Sequence, residues 1–244
     1  MSEILTDAWR TLVPEHDDRH GPLPPIMAAM TVVTGLVDAF SYLALGHVFV
    51  ANMTGNVVFC GFALGGSSGF SLPASITALA SFAVGAASGG WIARSYRDHR
   101  GRLLYKALLL EFALVAVSFF IARFAPGPAG NAGVKYVLIV VLGLSMGVQN
   151  AAARNLAVPD LTTTVLTMTI TGVGADNRMT GGPGAKLGRR TVSILAMFAG
   201  ALCGAFLVLN AHASVALLCA GVLLAGAALA ARRTLGSAQP WTQP

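Results

Sequence analysis

Apolar residues recur along the chain in long windows that short polar segments separate. Six windows approach the length of about 20 residues that an α-helix needs to cross a bilayer. They cover residues 26–46, 72–93, 103–122, 136–153, 191–210 and 213–231. A composition of 55% hydrophobic and 11% charged residues fits the same class. We therefore predict an all-α, polytopic membrane bundle with about six transmembrane helices.

Two further apolar windows, 48–65 and 161–175, are shorter or unusually polar. The first contains FVANMTGN, with Asn52, Thr54 and Asn56 at alternate positions, and the second holds six threonines in fifteen residues. Backbone that is not helical survives at membrane depth only inside protein or beside a water-filled cavity. We predict that both windows form short polar hairpins or half-helices that converge near the midplane.

Lysines and arginines set the expected orientation, because positively charged short loops stay in the cytoplasm. If both short windows return to the side they entered, 14 of the 16 basic residues are cytoplasmic, with both termini. A seven-span arrangement, in which only 161–175 fails to cross, places 12 of them inside and remains the alternative. The basic charge is thus explained by topology beside a lipid bilayer, and no nucleic-acid partner is predicted.

The chain carries signs of an internal repeat. An offset of 108 residues aligns 35–58 with 143–166, and an offset of 115 relates two pairs of glycines in later helices. These are Gly85, Gly89, Gly200 and Gly204, whose small-x-x-x-small spacing predicts close helix packing. With six spans, the repeat halves 26–122 and 134–233 would cross in opposite directions, as in an inverted repeat. A polar segment 1–25 precedes this single membrane domain (26–233), and a tail, 234–244, follows it.

Two stretches carry a family resemblance, GLVDAFSYLALGHVFVANMTGNVV and GLSMGVQNAAARNLAVPDLTTTVLT. They are similar to the YoaK-like family of bacterial integral membrane proteins, over essentially the whole chain. In one departure, the chain reads Thr167, Met168, Thr169 where the family tends to repeat Thr-Gly. The resemblance implies a multi-pass protein of the bacterial inner membrane and supplies no chemistry.

An acidic residue, Asp38, lies near the middle of the first window. An ionisable group costs a few kcal/mol at that depth, about 3 kcal/mol on insertion scales, and by default marks a functional site. The alternative is an aspartate whose hydrogen bonds tie two helices together. Glu111 follows Lys106 closely in a helix that begins near the cytoplasmic face, so we expect an interfacial or snorkelling contact for it.

Amide side chains offer both donors and acceptors, which can replace the water around a small polar solute. Threonines usually bond to their own helical turn, so the amides are the stronger candidates. The predicted substrate-binding set is Asp38, Asn52, Thr54, Asn56, Gln149, Asn150, Thr164 and Thr167.

The sequence has no nucleotide-binding loop, metalloprotease motif or nucleophile elbow, and no catalytic residue, metal site or cofactor is predicted. We therefore expect a small-solute transporter or channel with a midplane polar site. Two alternatives stay open. One is a non-transporting scaffold or assembly protein that uses its glycine faces, including a homo-oligomer, and the other is a lipid-handling factor or membrane-embedded enzyme.

Overall fold

The computed structural model describes residues 2–14, 19–125, 131–159, 161, 163, 166–175 and 187–243. This part of the chain forms nine α-helices and contains no strand. The helices are α1 (Ser2–Leu12), α2 (Leu23–Ala44), α3 (Met53–Leu64), α4 (Leu72–Ser95), α5 (Arg100–Phe124), α6 (Ala132–Leu156), α7 (Leu166–Ala175), α8 (Leu187–Asn210) and α9 (Ser214–Arg232). The predicted helical membrane bundle is confirmed.

Six of these helices are long and apolar enough to cross a bilayer, namely α2, α4, α5, α6, α8 and α9. They coincide with the six predicted windows. The helices α3 and α7 have 12 and 10 residues. At a rise of 1.5 Å per residue they reach roughly 18 and 15 Å, too short for a hydrocarbon core of about 30 Å. The chain is therefore a multi-pass membrane protein with two short helices, neither of which is long enough to cross the bilayer by itself.

Contacts at the helix ends fix the helix directions. The end of α2 lies beside the start of α6, because a side chain at Gly46 would meet the Lys135 ammonium. The start of α5 lies beside the end of α6, where the Arg100 guanidinium donates to the Leu156 carbonyl. Consequently α2 and α6 run antiparallel, and so do α5 and α6.

Helix packing exchanges partners between the halves α2–α5 and α6–α9. Helix α2 packs along α8, and α4 packs along α6. The short helices follow the same rule, with α3 on α4 and α7 on α8. Likewise α5 packs against α6, and α9 packs against α2. Exchanging the halves leaves this pattern unchanged, and equivalent helices α2 and α6 run in opposite directions. The fold is an inverted repeat.

Glycines at the crossings give the register of the repeat. Gly35 lies against the backbone of Met197, Gly200 and Ala201, whereas Gly147 lies against the backbone of Phe82, Gly85 and Ala86. The offset of 115 relates these two sets of partners, but Gly35 and Gly147 are separated by 112 residues. The predicted offset of 108 is therefore wrong by one helical turn. Gly143 and Gly147 recur four residues apart on the same face, so a shift of one turn preserves the small-residue pattern.

The amphipathic helix α1 was not predicted from the polar N-terminal sequence. It packs against α8, where the Asp7 carboxylate accepts a hydrogen bond from the Gly188 backbone N–H at 3.0 Å. At the other end of the chain, the buried Trp241 ring covers Gly21. Both terminal segments therefore lie at the same end of the bundle, beside the start of α2 or α8.

Candidate functional site

The loop between α2 and α3 is buried although its backbone is not helical. Val48, Val50 and Ala51 are each at most 4% exposed. The Asp38 Oδ1 accepts hydrogen bonds from the backbone N–H groups of Val50 at 3.1 Å and Ala51 at 2.9 Å. Unpaired N–H groups would be costly at this position, because no water competes for them inside a membrane bundle. Asp38 therefore satisfies the backbone of the loop that follows its own helix.

Asn56 performs the same task from α3. Its Oδ1 accepts from the Phe49 backbone N–H at 3.0 Å, and its Nδ2 donates to the Phe49 carbonyl at 2.6 Å. The amide thus pairs with one residue in both directions, as a neighbouring strand would. We call Asp38 and Asn56 the loop clamp. The clamp explains why an apolar stretch contains these two polar residues.

The other polar residues of this stretch point elsewhere. Asn52 and Thr54 are exposed, whereas Asn56 is fully buried. A continuous helix would place Asn52 and Asn56 on one face, and an extended strand would point all three side chains the same way. The structure has neither arrangement, because α3 begins at Met53 and leaves Asn52 outside the helix. Asn52 and Thr54 are instead available on the surface of the bundle.

The second half places its predicted polar residues differently. The Asn150 Nδ2 donates to the Met146 carbonyl within its own helix at 2.9 Å. Thr167 is exposed, and its carbonyl accepts from the Thr171 hydroxyl at 2.9 Å. Thr164 lies outside the described residues. The buried polar side chain of α7 is Thr169, the fourth residue of its helix, as Asn56 is the fourth residue of α3.

The two short helices do not converge. In the described part of the chain, α3 makes its main contacts with α4, and α7 makes its main contacts with α8. Each short helix therefore lies beside a helix of its own half, and the expected meeting of two hairpins near the midplane is wrong. The hydrophobic pattern could predict that these segments are short, but it carries no information on which neighbour covers them.

A separate polar cluster lies in the middle turns of α2 and α6. The Gln149 Nε2 donates to the Thr34 hydroxyl at 2.7 Å and approaches the Met30 carbonyl at 3.4 Å. Gln149 and Thr34 are fully buried. The Gln149 Oε1 has no hydrogen-bond partner among the described residues. An acceptor that is buried and unused in this way is uncommon in folded proteins.

Glu111 adds a carboxyl group to the buried centre. The Ser145 hydroxyl of α6 points at the Glu111 backbone carbonyl at 3.5 Å, which places the two residues at the same level. Glu111 is 0% exposed, and neither carboxyl oxygen has a hydrogen-bond partner within the described chain. The prediction of an interfacial or snorkelling contact is wrong. Glu111 is the twelfth residue of the 25-residue α5. This central position indicated burial in the membrane, but the nearby Lys106 favoured an interfacial interpretation.

Metal ligands are not gathered anywhere in the described ranges, which contain no group of three His, Cys, Asp or Glu residues. The three cysteines, Cys60, Cys203 and Cys219, are free thiols. The buried polar groups of the described chain are therefore hydroxyls, amides, two carboxyl groups and, near the start of α8, the Arg189 guanidinium.

Residues 26–230 match the family described as "Protein of unknown function (DUF1275)". The chain belongs to this DUF1275 family. A relative named "UPF0700 transmembrane protein YoaK", from Bacillus subtilis (strain 168), is 35% identical over 150 residues. The aligned part covers 59% of this chain and 63% of that relative's length. No solved structure matches the DUF1275 chain. The resemblance to the YoaK-like family is confirmed.

Proposed function

We propose that this DUF1275 protein is a small-solute transporter of the bacterial inner membrane. The observation that carries the proposal is the exchanged packing of two inverted halves, α2 with α8 and α4 with α6. Inverted repeats are the frame of many secondary transporters, in which one part rocks against the other around a central site. Glycine-lined crossings support such movement, because smooth backbone contacts can slide without side chains that interlock.

The proposed solute site lies at Gln149 and Thr34, in the middle turns of the two most buried membrane helices. The unpartnered Gln149 Oε1 offers an acceptor to a small polar solute. The predicted residues then divide by role. Asp38 and Asn56 position the loop, while Asn52 and Thr54 in the first half lie on an exposed approach. In the second half, Thr164 and Thr167 are the proposed counterparts of Asn52 and Thr54, and Asn150 is the proposed counterpart of Asp38.

The proposed orientation places both termini in the cytoplasm. Given the helix directions, basic residues gather at the end of the bundle where α2, α5 and α8 begin. The described ones are Arg10, Arg19, Arg94, Arg97, Arg100, Arg102, Lys106, Arg154, Arg189, Arg190, Arg232 and Arg233. Arg123 and Lys135 lie at the opposite end. This asymmetry supports a cytoplasmic location for the first end.

Labelling of single cysteines with an impermeant thiol reagent tests the orientation. The variants are Asp98→Cys for the basic end, and His47→Cys and Ser68→Cys for the two loops that flank α3. These loops lie together, because the His47 Nδ1 approaches the Gly69 carbonyl at 3.1 Å. We expect both loop cysteines to react from outside the cell and position 98 only after permeabilisation. Opposite sides for positions 47 and 68 would support the seven-span alternative.

A scaffold or assembly role is the second candidate. Several buried hydroxyls donate to carbonyls of their own helix, including those of Thr31, Ser81 and Ser118. Together with the loop clamp, these bonds give many buried polar groups a hydrogen-bond partner within the protein, without water. An interior of this kind needs no solute.

Flux into proteoliposomes distinguishes the two candidates. Purified protein is tested with a panel of small polyols, amides, amino acids and organic acids. We expect uptake of at least one class, and loss of that uptake in Gln149→Leu, which keeps the side-chain volume. Asn155→Ala is the matched control, since this exposed α6 residue bonds only to its own turn, at the Ala151 carbonyl. Folded protein that carries no member of the panel would favour the scaffold role.

A further inference from the structure

The Glu111 carboxyl group is a buried acid that no contact of the fold uses. Both of its oxygens are enclosed and have no hydrogen-bond partner among the described residues. The apolar side chains Ala107, Leu108 and Val115, all 0% exposed, lie one turn away on the same helix. Buried polar groups in folded proteins nearly always have partners, so an orphaned carboxyl at the membrane centre needs an explanation.

In the part of the chain that the structure describes, no opposite charge lies at the level of Glu111. The helices that pack on α5 are α6, α9 and α4, with the short C-terminal turn at Trp241. Their titratable groups, with those of α5 itself, are Arg94, Arg100, Arg102, Tyr105, Lys106, Arg123, Lys135, Tyr136, Arg154, Cys219 and Arg232. All of these groups lie within the first or last two turns of their helices, whereas Glu111 lies in the middle of α5. Lys106 itself is exposed and points away from the core.

A proton is the ligand that this environment fits. A bare carboxylate is costly at the bilayer centre, whereas the protonated acid carries no charge. A metal cation would need several oxygen ligands around it. The described chain provides no second acid on α5 or on the helices packed against it, apart from exposed Asp98 before α5. We propose that Glu111 is a reversible proton-binding site at the centre of the bundle.

Release and rebinding of this proton must involve its immediate neighbours on α6. When the acid loses its proton to water, the remaining carboxylate needs new donors. The Ser145 hydroxyl already lies beside Glu111 at its backbone carbonyl, and Gln149 follows one turn later on α6. A switch of the Gln149 amide from Thr34 towards Glu111 would link protonation to the contact between α2 and α6. This coupling step rests on the proposed transport function, whereas proton binding itself does not.

The site belongs to one half of the repeat. At the structural offset of 112, Ser145 and Gln149 correspond to Val33 and Val37 of α2. Both valines are buried in the apolar core. The other half therefore offers no equivalent polar neighbours, and a single proton site per chain is expected.

Infrared spectroscopy of the full chain in lipid vesicles tests the proposal. The carbonyl band of protonated carboxyl groups is recorded over a pH series, in light and heavy water, for the wild type, Glu111→Gln and Asp38→Asn. We expect a band that shifts in heavy water, vanishes reversibly as the pH rises, survives in Asp38→Asn and is absent in Glu111→Gln. An unchanged spectrum in Glu111→Gln, or a band that neither exchanges nor titrates, would overturn the proposal.

Labelling of the wild type keeps the test decisive if Glu111→Gln does not fold. A hydrophobic carbodiimide adds to a protonated carboxyl group: the carboxyl oxygen bonds to the central carbon, and the acid proton moves to nitrogen. Rearrangement gives a stable acylurea with no leaving group. We expect this adduct on the Glu111 peptide at low pH and its loss at high pH, and no adduct at low pH would contradict proton binding. If Glu111 titrates but the protein carries no solute in the flux assay, the proposed transport function is contradicted and proton binding is not.

Discussion

The two halves of the bundle share their packing but differ in the chemistry they bury. Gly85 and Gly200 occupy equivalent positions, and each lies against the backbone of a helix from the other half, at Leu144 and Val32. The polar groups follow no such symmetry. Close backbone contact thus constrains both copies equally, whereas buried polar residues are free to diverge where only one copy uses them.

Side chains at equivalent positions of the two halves differ. The first-half loop is fastened by the clamp of Asp38 and Asn56. At the structural offset of 112, Asp38 corresponds to Asn150, an amide whose Nδ2 donates to the Met146 carbonyl. Thr169, the fourth residue of α7, is buried like Asn56, the fourth residue of α3. The first half therefore buries a carboxyl group and an amide where the second half has an amide and a hydroxyl, and the second half adds the polar centre formed by Ser145 and Gln149.

The largest expected effect comes from the glycines that the halves share. Gly85→Leu and Gly200→Leu should each cost about 3 kcal/mol, because the new side chains would collide with backbone that cannot move aside. Thermal unfolding of detergent-purified protein measures the loss. Gly90→Leu is the control, since no described atom lies within 4 Å of a Cβ at that position. A large loss of stability from only one of the two substitutions would contradict the shared packing.

The predicted packing glycines Gly89 and Gly204 extend the same comparison by one turn. A Cβ on Gly89 would lie 2.8 Å from the Ala151 Cβ, and a Cβ on Gly204 would lie 2.8 Å from the Ala39 Cβ. These neighbours are side-chain methyl groups rather than backbone alone. The substitutions Gly89→Leu and Gly204→Leu should therefore lower the stability by amounts similar to each other. If the unfolding temperature stays unchanged in both variants, these two helix faces lie against lipid.

The loop clamp of the first half should give the next largest effect. Asp38→Ala strands the N–H groups of Val50 and Ala51, and Asn56→Ala strands the backbone of Phe49. Each unsatisfied group costs about 1–3 kcal/mol. The control Asn155→Ala removes the bond of an exposed side chain to the Ala151 carbonyl of its own helix and should cost about 1 kcal/mol or less. Limited proteolysis of the loop and thermal unfolding measure these changes. Clamp variants that lose no more stability than Asn155→Ala would contradict the role of the clamp.

Some of these features could be predicted from the sequence, and others could not. Window length and hydrophobicity predicted the six spanning helices, since bilayer thickness fixes both quantities. The glycine offset of 115 agrees with the structure, whereas the alignment of 35–58 with 143–166 missed the register by one turn, because a helix presents the same face every three to four residues. The partners of Asp38 and Asn56 are backbone groups of a loop. Any sequence carries such groups, so no residue pattern could reveal them.

A smaller effect is expected at the polar contact between α2 and α6. Thr34→Val removes the nearer acceptor of Gln149 and should cost about 1 kcal/mol, the usual scale for such bonds between membrane helices. Gln149→Leu should be nearly neutral for stability, because it also removes the unpartnered Oε1. A double-mutant cycle of the two measures their coupling. A stabilising Thr34→Val would show that the amide prefers another partner.

The smallest expected effect concerns a position where α3 has a glycine and α7 has a larger residue. A Cβ on Gly55 would lie 2.7 Å from the Phe49 ring, which stacks on Tyr42 and Phe59, whereas Met168 at the matching position of α7 is 70% exposed. Met168→Gly should therefore cost less than about 1 kcal/mol, through helix propensity alone. Gly55→Ala forces the ring to shift and should lower the unfolding temperature more. If Met168→Gly proves the more harmful change, α7 packs through this residue, and the two short helices are less alike than their burial pattern indicates.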